Sequence, residues 1–84
     1  MMTKEFIRDL IARQLECARL EVRGDDGAHF EATIVAAAFE GKSRIQRHQL
    51  VYAALGEYMR EAIHALSIKT LAPSETQGTD TQNG

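Results

Sequence analysis

The sequence predicts an α+β domain in which helices cover one face of a three-stranded mixed sheet. Two observations lead to this prediction. The hydrophobic period changes from helical to strand-like and back along the chain, and a turn rich in glycine and aspartate separates two strand-like segments. Helices must cover a sheet face to bury their apolar stripes, which gives a two-layer sandwich in the order α-β-β-α(-α)-β.

The first element is predicted to be an amphipathic helix that begins after Thr3 and ends near Glu16. Thr3 can cap the helix, and Glu5 in the first turn suits the positive end of the helix dipole. The apolar residues of this segment recur at the spacings of one helical face: Phe6, Ile7, Leu10, Ile11 and Leu15.

A β-hairpin is predicted next. From Arg19 onward apolar and charged residues alternate with a period of two, and a return strand is predicted over residues 28–37. The glycines and aspartates of residues 24–27 supply the positive-φ positions and side-chain-to-backbone bonds of the connecting turn. Residues 36–38 are all alanine and suit either an extended or a helical continuation.

A second helix is predicted to begin after Ser43, because Ser43 and Gln46 have the spacing of a capping box. Gly56 predicts a bend or break before a short continuation over residues 59–63. A third strand is predicted over residues 64–71, and the crossover helix makes it parallel to the second strand. The predicted apolar stripe of the second helix comprises Ile45, His48, Val51, Tyr52, Leu55, Tyr58 and Met59.

The folded domain is predicted to span residues 3–73, followed by a disordered polar tail over residues 74–84. Pro73 ends the last predicted strand, and residues 76–84 have no apolar side chain. A chain of 84 residues has a small core and no room for a second domain.

Composition and charge argue against several classes of function. The net charge is −2 and the pI is about 5.9, whereas dedicated nucleic-acid domains usually have a pI above ~9. Nucleophile signatures and phosphate-binding glycine loops are absent, so we do not expect an enzyme. The longest apolar run, residues 34–39, is too short to span a membrane, and the N-terminus does not resemble a secretory signal. With a single cysteine, the chain suits a reducing compartment, and we expect a cytoplasmic protein without membrane association.

Four side chains of the sequence are good metal ligands, but their spacing matches no zinc motif. Considered alone, Cys17 is predicted to be a small, partly buried filler and His48 a packed histidine. His29 is predicted to be exposed or to contact a neighbouring strand. His64 lies at the start of the predicted third strand, where an imidazole can face outward.

A basic run marks the start of the second helix. Lys42, Arg44 and Arg47 lie in a segment without acids, and helix N-termini favour anions. The run is compatible with a solvated helix face or with a site for nucleic-acid phosphates.

Several motifs, in order and spacing, resemble the BolA-like protein family. The hairpin segment from Asp26 to Phe30 most closely resembles the IbaG branch of that family, and the similarity covers about residues 4–75. The resemblance implies an α-β-β-α-β fold akin to class II KH domains, although the two-glycine KH loop is represented here only by Gly41. The motifs are Phe39-Glu-Gly41-Lys-Ser43, Arg47-His48, Tyr52, Leu55, Ile63-His64-Ala65-Leu66 and Pro73-Ser-Glu75.

The resemblance implies two activities. One is pairing with a monothiol glutaredoxin, in which both proteins and glutathione share a [2Fe-2S] cluster for iron–sulfur trafficking or for regulation under iron or acid stress. The isolated chain is then expected to hold no cofactor, although it can form a homodimer. The alternative activity is transcriptional regulation, in which Lys42, Arg44 and Arg47 would bind DNA. A third possibility is a protein-interaction module that uses no metal.

The resemblance also implies the cluster ligands. The histidine of the family's His-Ala-Leu motif is a ligand, and here it is His64. The second family ligand is a histidine or cysteine of the hairpin loop, and the matching position in this chain is Asp26. Asp26, His29, a thiolate of the partner and glutathione are therefore all alternatives for the second ligand. Histidine binds metal only when it is deprotonated, so we expect ligation to fail in acid.

Overall fold

A three-stranded sheet with helices on one face forms the domain in the computed structural model, which describes residues 2–24 and 26–76. Strand β1 (Arg19–Arg23) pairs antiparallel with β2 (Phe30–Val35), and β2 pairs parallel with β3 (Leu66–Leu71). The predicted α+β class, the hairpin and the parallel crossover are confirmed.

The helices that accompany the sheet in the described residues are α1 (Lys4–Gln14), α2 (Arg44–Leu55) and α3 (Met59–Ala65). Single 3₁₀ turns lie at Ala37–Phe39, where the alanine run turns helical, and at Gly56–Tyr58, where a break was predicted. Within the part of the chain that the structure describes, no helix has the length and apolar character needed to cross a membrane.

Side chains at the helix starts bond to free backbone amides, as the sequence predicts. The Thr3 hydroxyl accepts a bond from the Phe6 amide at 3.1 Å. At the start of α2 the Gln46 amide donates to the Ser43 hydroxyl at 3.2 Å, and the Ser43 amide donates to the Gln46 side chain at 2.9 Å. These bonds satisfy amides that lack partners within the helix, and each cap contributes ~1 kcal/mol of stability.

The hydrophobic core lies between the helices and the inner face of the sheet. β2 is the central strand, and its alternate residues Phe30, Ala32 and Ile34 are buried against Ile7 and Ile11 of α1. The largest fully buried side chains are Phe39, Ile7, Ile11, Ile34, Leu55 and Val51. Phe39, which the sequence placed only in a connector, is therefore part of the core.

The predicted apolar stripe of α2 is confirmed at Val51 and Leu55 and is wrong at its two ends, Ile45 and Met59. The buried residues of α2 are Val51, Ala54 and Leu55, whereas Ile45 is 70% exposed. Arg47 faces the carboxyl end of β3, where it donates to the Thr70 carbonyl. Ile45 lies two positions earlier, roughly 200° around the helix, and therefore faces away from the sheet. Met59 is also exposed, because the 3₁₀ turn at Gly56–Tyr58 interrupts the helical phase before α3 begins.

The predicted start of the third strand is also wrong. His64 lies in the last turn of α3 and not in the strand, which begins at Leu66. The Leu66 amide donates to the Ala62 carbonyl, so the helix ends in the residue that opens β3. Helix and strand are thus joined without a loop. The alternating pattern from which the strand was predicted therefore begins two residues too early, at helical residues 64 and 65.

Arg47 ties the C-terminal end of the domain together, and we call the arrangement of Arg47 and Glu75 the C-terminal clasp. The Arg47 side chain is 12% exposed, and its guanidinium donates to both Glu75 carboxylate oxygens, at 2.7 and 3.1 Å. It also donates to the carbonyls of Lys42 and Thr70, at 3.0 and 3.4 Å. Its carbon lies 6.0 Å from the centre of the Phe39 ring. Arg47 therefore stabilises the fold in a position that the sequence assigned to a basic surface run.

The domain extends beyond residue 73, so the boundary predicted there is too early. Residues 73–76 form one helical turn. The Ser74 amide and hydroxyl both donate to the Glu40 carboxylate, and the Ala72 amide donates to Glu75 at 2.7 Å. The disordered tail was predicted from residue 74, and residues 77–84 of it lie outside the described residues.

The clasp predicts an acid-dependent loss of stability. Hydrogen bonds to its carboxylate, the stronger effect from Arg47 and the weaker from the Ala72 amide, hold the pKa of Glu75 below its ordinary value. Because the pKa of Glu75 is lower in the folded than in the unfolded protein, the clasp stabilises the fold fully above the unfolded pKa. This stabilisation is lost as the pH falls through the folded pKa. We expect Glu75→Gln to lower the melting temperature at pH 7 and to have a smaller effect at pH ~3, as measured by circular dichroism. Glu16→Gln, at an exposed position after α1, is the matched control, and an equal decrease in both variants would contradict the assignment.

Candidate functional site

The parallel pairing of β2 and β3 brings two histidines to one end of the sheet. Phe30 is paired with Leu66, so the residues that precede the two strands lie at the same edge. His29 precedes Phe30, and His64 lies two residues before Leu66. Both are exposed and line one open groove of about 570 Å³. We call this the histidine groove, and it is lined by Arg23, Gly24, Asp26, His29, Phe30, Glu31, Ile63, His64, Ala65, Leu66 and Ser67.

His64 is held by a rigid junction. Ala62 of the same helix is fully buried, and Leu66 directly after the helix is 8% exposed and packed in the core. The residues on both sides of His64 are therefore anchored while its imidazole is directed to solvent. A ligand on such a support needs little reorganisation on binding.

The hairpin loop is organised by Asp26. One carboxylate oxygen, Oδ1, accepts bonds from the amides of Ala28 and His29 at 2.9 and 2.8 Å. The other, Oδ2, lies 3.1 Å from Nδ1 of His29. The backbone amides first, and then the imidazole, lower the pKa of Asp26 well below its ordinary value. The carboxylate is therefore charged and engaged within the loop at neutral pH.

The contact with Asp26 favours one tautomer of the neutral His29 imidazole. In that tautomer Nδ1 donates a hydrogen bond to Asp26, and Nε2 carries no proton and can bind an external group. A carboxylate that orients an imidazole in this way is typical of histidines that bind metals. Asp26 therefore acts as a support for His29.

Gly24 keeps the loop close to β2. A Cβ at this position would overlap the Phe30 ring and would lie 2.9 Å from the His29 carbonyl oxygen. Only a residue without a side chain lets the loop approach the strand at that distance. The glycine therefore helps to place His29 at the groove.

The structure keeps the other predicted metal ligands apart from this groove. Cys17 is half-buried and lines a cavity with Ala37, Ala38 and Pro73, which lie at the opposite end of β2 and β3. His48 is half-buried on α2, with its ring 6.3 Å from that of Tyr52. Over residues 2–24 and 26–76, no three His, Cys, Asp or Glu side chains are grouped as a metal site.

The basic run also lies at the far end of the sheet. Lys42 and Arg44 are exposed near the start of α2, whereas Arg47 is engaged in the C-terminal clasp at the end of β3. The three bases therefore do not present a common surface to an anion.

Sequence reasoning missed several residues of the histidine groove. Arg23 and Glu31 are directly opposite each other across the β1–β2 ladder and both line the groove. Ile63 lines it from α3 and is exposed. Only the strand register and the position of α3 bring these residues together, and neither is visible as a local motif.

The fold and the groove define a small BolA-type domain, and comparison with known proteins agrees. Residues 11–75 match the BolA-like protein family, and the chain belongs to this family. It is 37% identical to the acid stress protein IbaG of Escherichia coli over 75 residues, which cover 88% of each chain. It is also 46% identical to the protein BOLA2 of Arabidopsis thaliana over 72 residues, which cover 82% of this chain and 76% of that protein.

A solved structure supports the same assignment. A BolA protein homologue from Coxiella burnetii superimposes with a TM-score of 0.76 at 44% identity, covering 92% of this chain and 99% of that chain. The family assignment and the BolA fold predicted from the sequence are thus confirmed.

The position of Cys17 predicts an unreactive thiol. Burial raises the pKa of Cys17, and its Sγ donates to the Leu15 carbonyl at 3.4 Å. Since the thiolate is the reactive form, we expect the folded protein to react with iodoacetamide at pH 8 more slowly than glutathione does. Unfolding in urea should remove the difference. A thiol as reactive as glutathione in the folded protein would contradict this assignment and would return Cys17 to the candidate ligands.

Proposed function

We propose that this protein is a non-enzymatic adaptor that pairs with a monothiol glutaredoxin and shares a [2Fe-2S] cluster with it. The role would be iron–sulfur trafficking or regulation under iron or acid stress. The observation that carries the proposal is the convergence of His29 and His64 on one exposed groove. The similarity to a protein named for acid stress supports the regulatory role.

The donor set fits a shared cluster better than a resident one. Two imidazoles at an open edge can supply part of a coordination sphere, and the described residues contain no larger group of ligands. The remaining ligands would be the thiolates of glutaredoxin and glutathione. Imidazole ligands reduce the negative charge at the iron, so a bound cluster would have a higher reduction potential than one held by thiolates alone.

His64 is proposed as the first ligand and His29 as the second. His64 is exposed on a rigid junction, and the contact between Nδ1 of His29 and Asp26 favours the tautomer whose Nε2 can bind a metal. Asp26, the residue at the family's second ligand position, is engaged by two backbone amides and an imidazole. Imidazole is also a softer ligand than carboxylate and suits iron better.

The alternative of DNA binding lacks one of its three bases. Arg47 is engaged with Glu75, Lys42 and Thr70, and the groove with the two histidines lies at the other end of the sheet. The adaptor is therefore the function that the geometry favours.

The histidine assignments are tested by anaerobic reconstitution with a purified monothiol glutaredoxin, iron, sulfide and glutathione. We expect His64→Ala to change the visible spectrum of the complex and to shorten the cluster lifetime, because an imidazole ligand is lost. His29→Ala should have the same kind of effect. His48→Ala, on α2 away from the groove, is the matched control and should behave like the parent chain.

Asp26→Asn separates a support from a ligand. The asparagine oxygen can still accept from the Ala28 and His29 amides, but the charged partner of the imidazole is lost. We expect affinity for the cluster to fall by about 10–100-fold without loss of the imidazole signature in the spectrum. If Asp26→Asn removes the cluster and His29→Ala does not, Asp26 is the second ligand. A stable, colourless complex that does not respond to iron would instead identify a protein-interaction module without metal.

A further inference from the structure

We propose that the exposed apolar face of α3, formed by Met59 and Ile63, is a docking surface for the thiolate-presenting partner. The partner's contacting surface is expected to carry net positive charge. The inference rests on the proposed function, since the occupant is the protein that would complete the ligand set at His64. It adds that docking and cluster ligation are carried by different residues of this chain.

The first argument is the exposure of large apolar side chains on a very short helix. Ala62 is fully buried on the inner side of α3, whereas Met59 is 39% exposed and Ile63 is 51% exposed. Residues four apart lie on the same face of a helix, so the two side chains form one apolar surface. Adjacent apolar side chains that face solvent beside a groove are typical of sites that another protein covers.

The second argument is continuity with the histidine groove. Ile63 and His64 both line that groove, and His64 and Met59 both line the neighbouring cavity next to Gly56. Bonds between a metal and an imidazole nitrogen are only about 2 Å long. A protein that supplies further ligands to a metal on His64 must therefore also cover the residues beside it, including Ile63.

The third argument is the charge around this surface. Apart from the histidines, the charged side chains that line the two cavities are two bases, Arg23 and Arg60, and four acids, Asp26, Glu31, Glu57 and Glu61. Acids outnumber bases two to one there, whereas the exposed bases Lys42 and Arg44 lie at the opposite end of the sheet. A nucleic acid, or a second copy of this chain docked through the same surface, would bring like charge to it. A partner with a basic contact surface has the complementary charge.

The test measures binding of purified apo monothiol glutaredoxin by calorimetry, in EDTA and without iron, so that no cluster contributes. We expect Ile63→Ser to weaken the complex about tenfold, because roughly half of a large apolar side chain is no longer buried on association. Met59→Ser should weaken it several-fold. Ile45→Ser is the matched control, since Ile45 is exposed on α2 at the other end of the domain, and it should bind like the parent. Raising the salt concentration should weaken the parent complex.

The outcomes separate this inference from the proposed function. Circular dichroism of each variant establishes that the fold is retained. If Ile63→Ser and Met59→Ser both bind apo glutaredoxin as tightly as the parent, or if Ile45→Ser weakens binding equally, the docking surface is wrong. The cluster proposal is judged independently by the visible spectrum of the reconstituted His64→Ala complex. If the parent does not bind the apo partner, or if Ile63→Ser disrupts only a homodimer, the inference is overturned.

Discussion

The pairing of Phe30 with Leu66 in a parallel ladder is the constraint on which the site depends. Parallel strands begin at the same edge of a sheet, so the register determines that the loop before β2 and the helix before β3 meet. The crossover through α2 and α3 is the connection that parallel strands require. A shift of one residue in this ladder would turn the buried face of β2 outward, so the core that stabilises the fold also fixes the histidine groove.

Local chemistry predicted most of the fold and much less of the site. The capping residues and the break at Gly56 depend on neighbours in sequence, and each was found where it was predicted. The hairpin was also found, but β2 spans Phe30–Val35 and is shorter than the predicted residues 28–37. The stripe of α2 was predicted correctly at Val51 and Leu55 but not at Ile45, because the period alone does not say how far along the helix a stripe stays buried. His64 was placed at the correct edge but in the wrong element, since a helix can pass into a strand without any turn residue.

The roles of charged residues were the least visible in the sequence. Arg47 reads as one of three bases, and only the return of the chain to Glu75, 28 positions later, makes it part of the fold. Asp26 is the reverse case, because the resemblance made it a candidate ligand, whereas in the structure its carboxylate is engaged by its own loop. In both cases the sequence shows that the residue is charged, but only the folded structure shows which groups it contacts.

The position of the clasp has a practical consequence for how the molecule can be handled. Glu75 and Thr76 lie beyond the carboxyl end of β3, a full strand away from the imidazoles, and six residues of strand span ~20 Å. A fluorophore, an affinity handle or a fused enzyme joined after this point would begin on the side remote from the histidines. Immobilising the protein through that end should leave the opposite edge free to meet molecules arriving from solution.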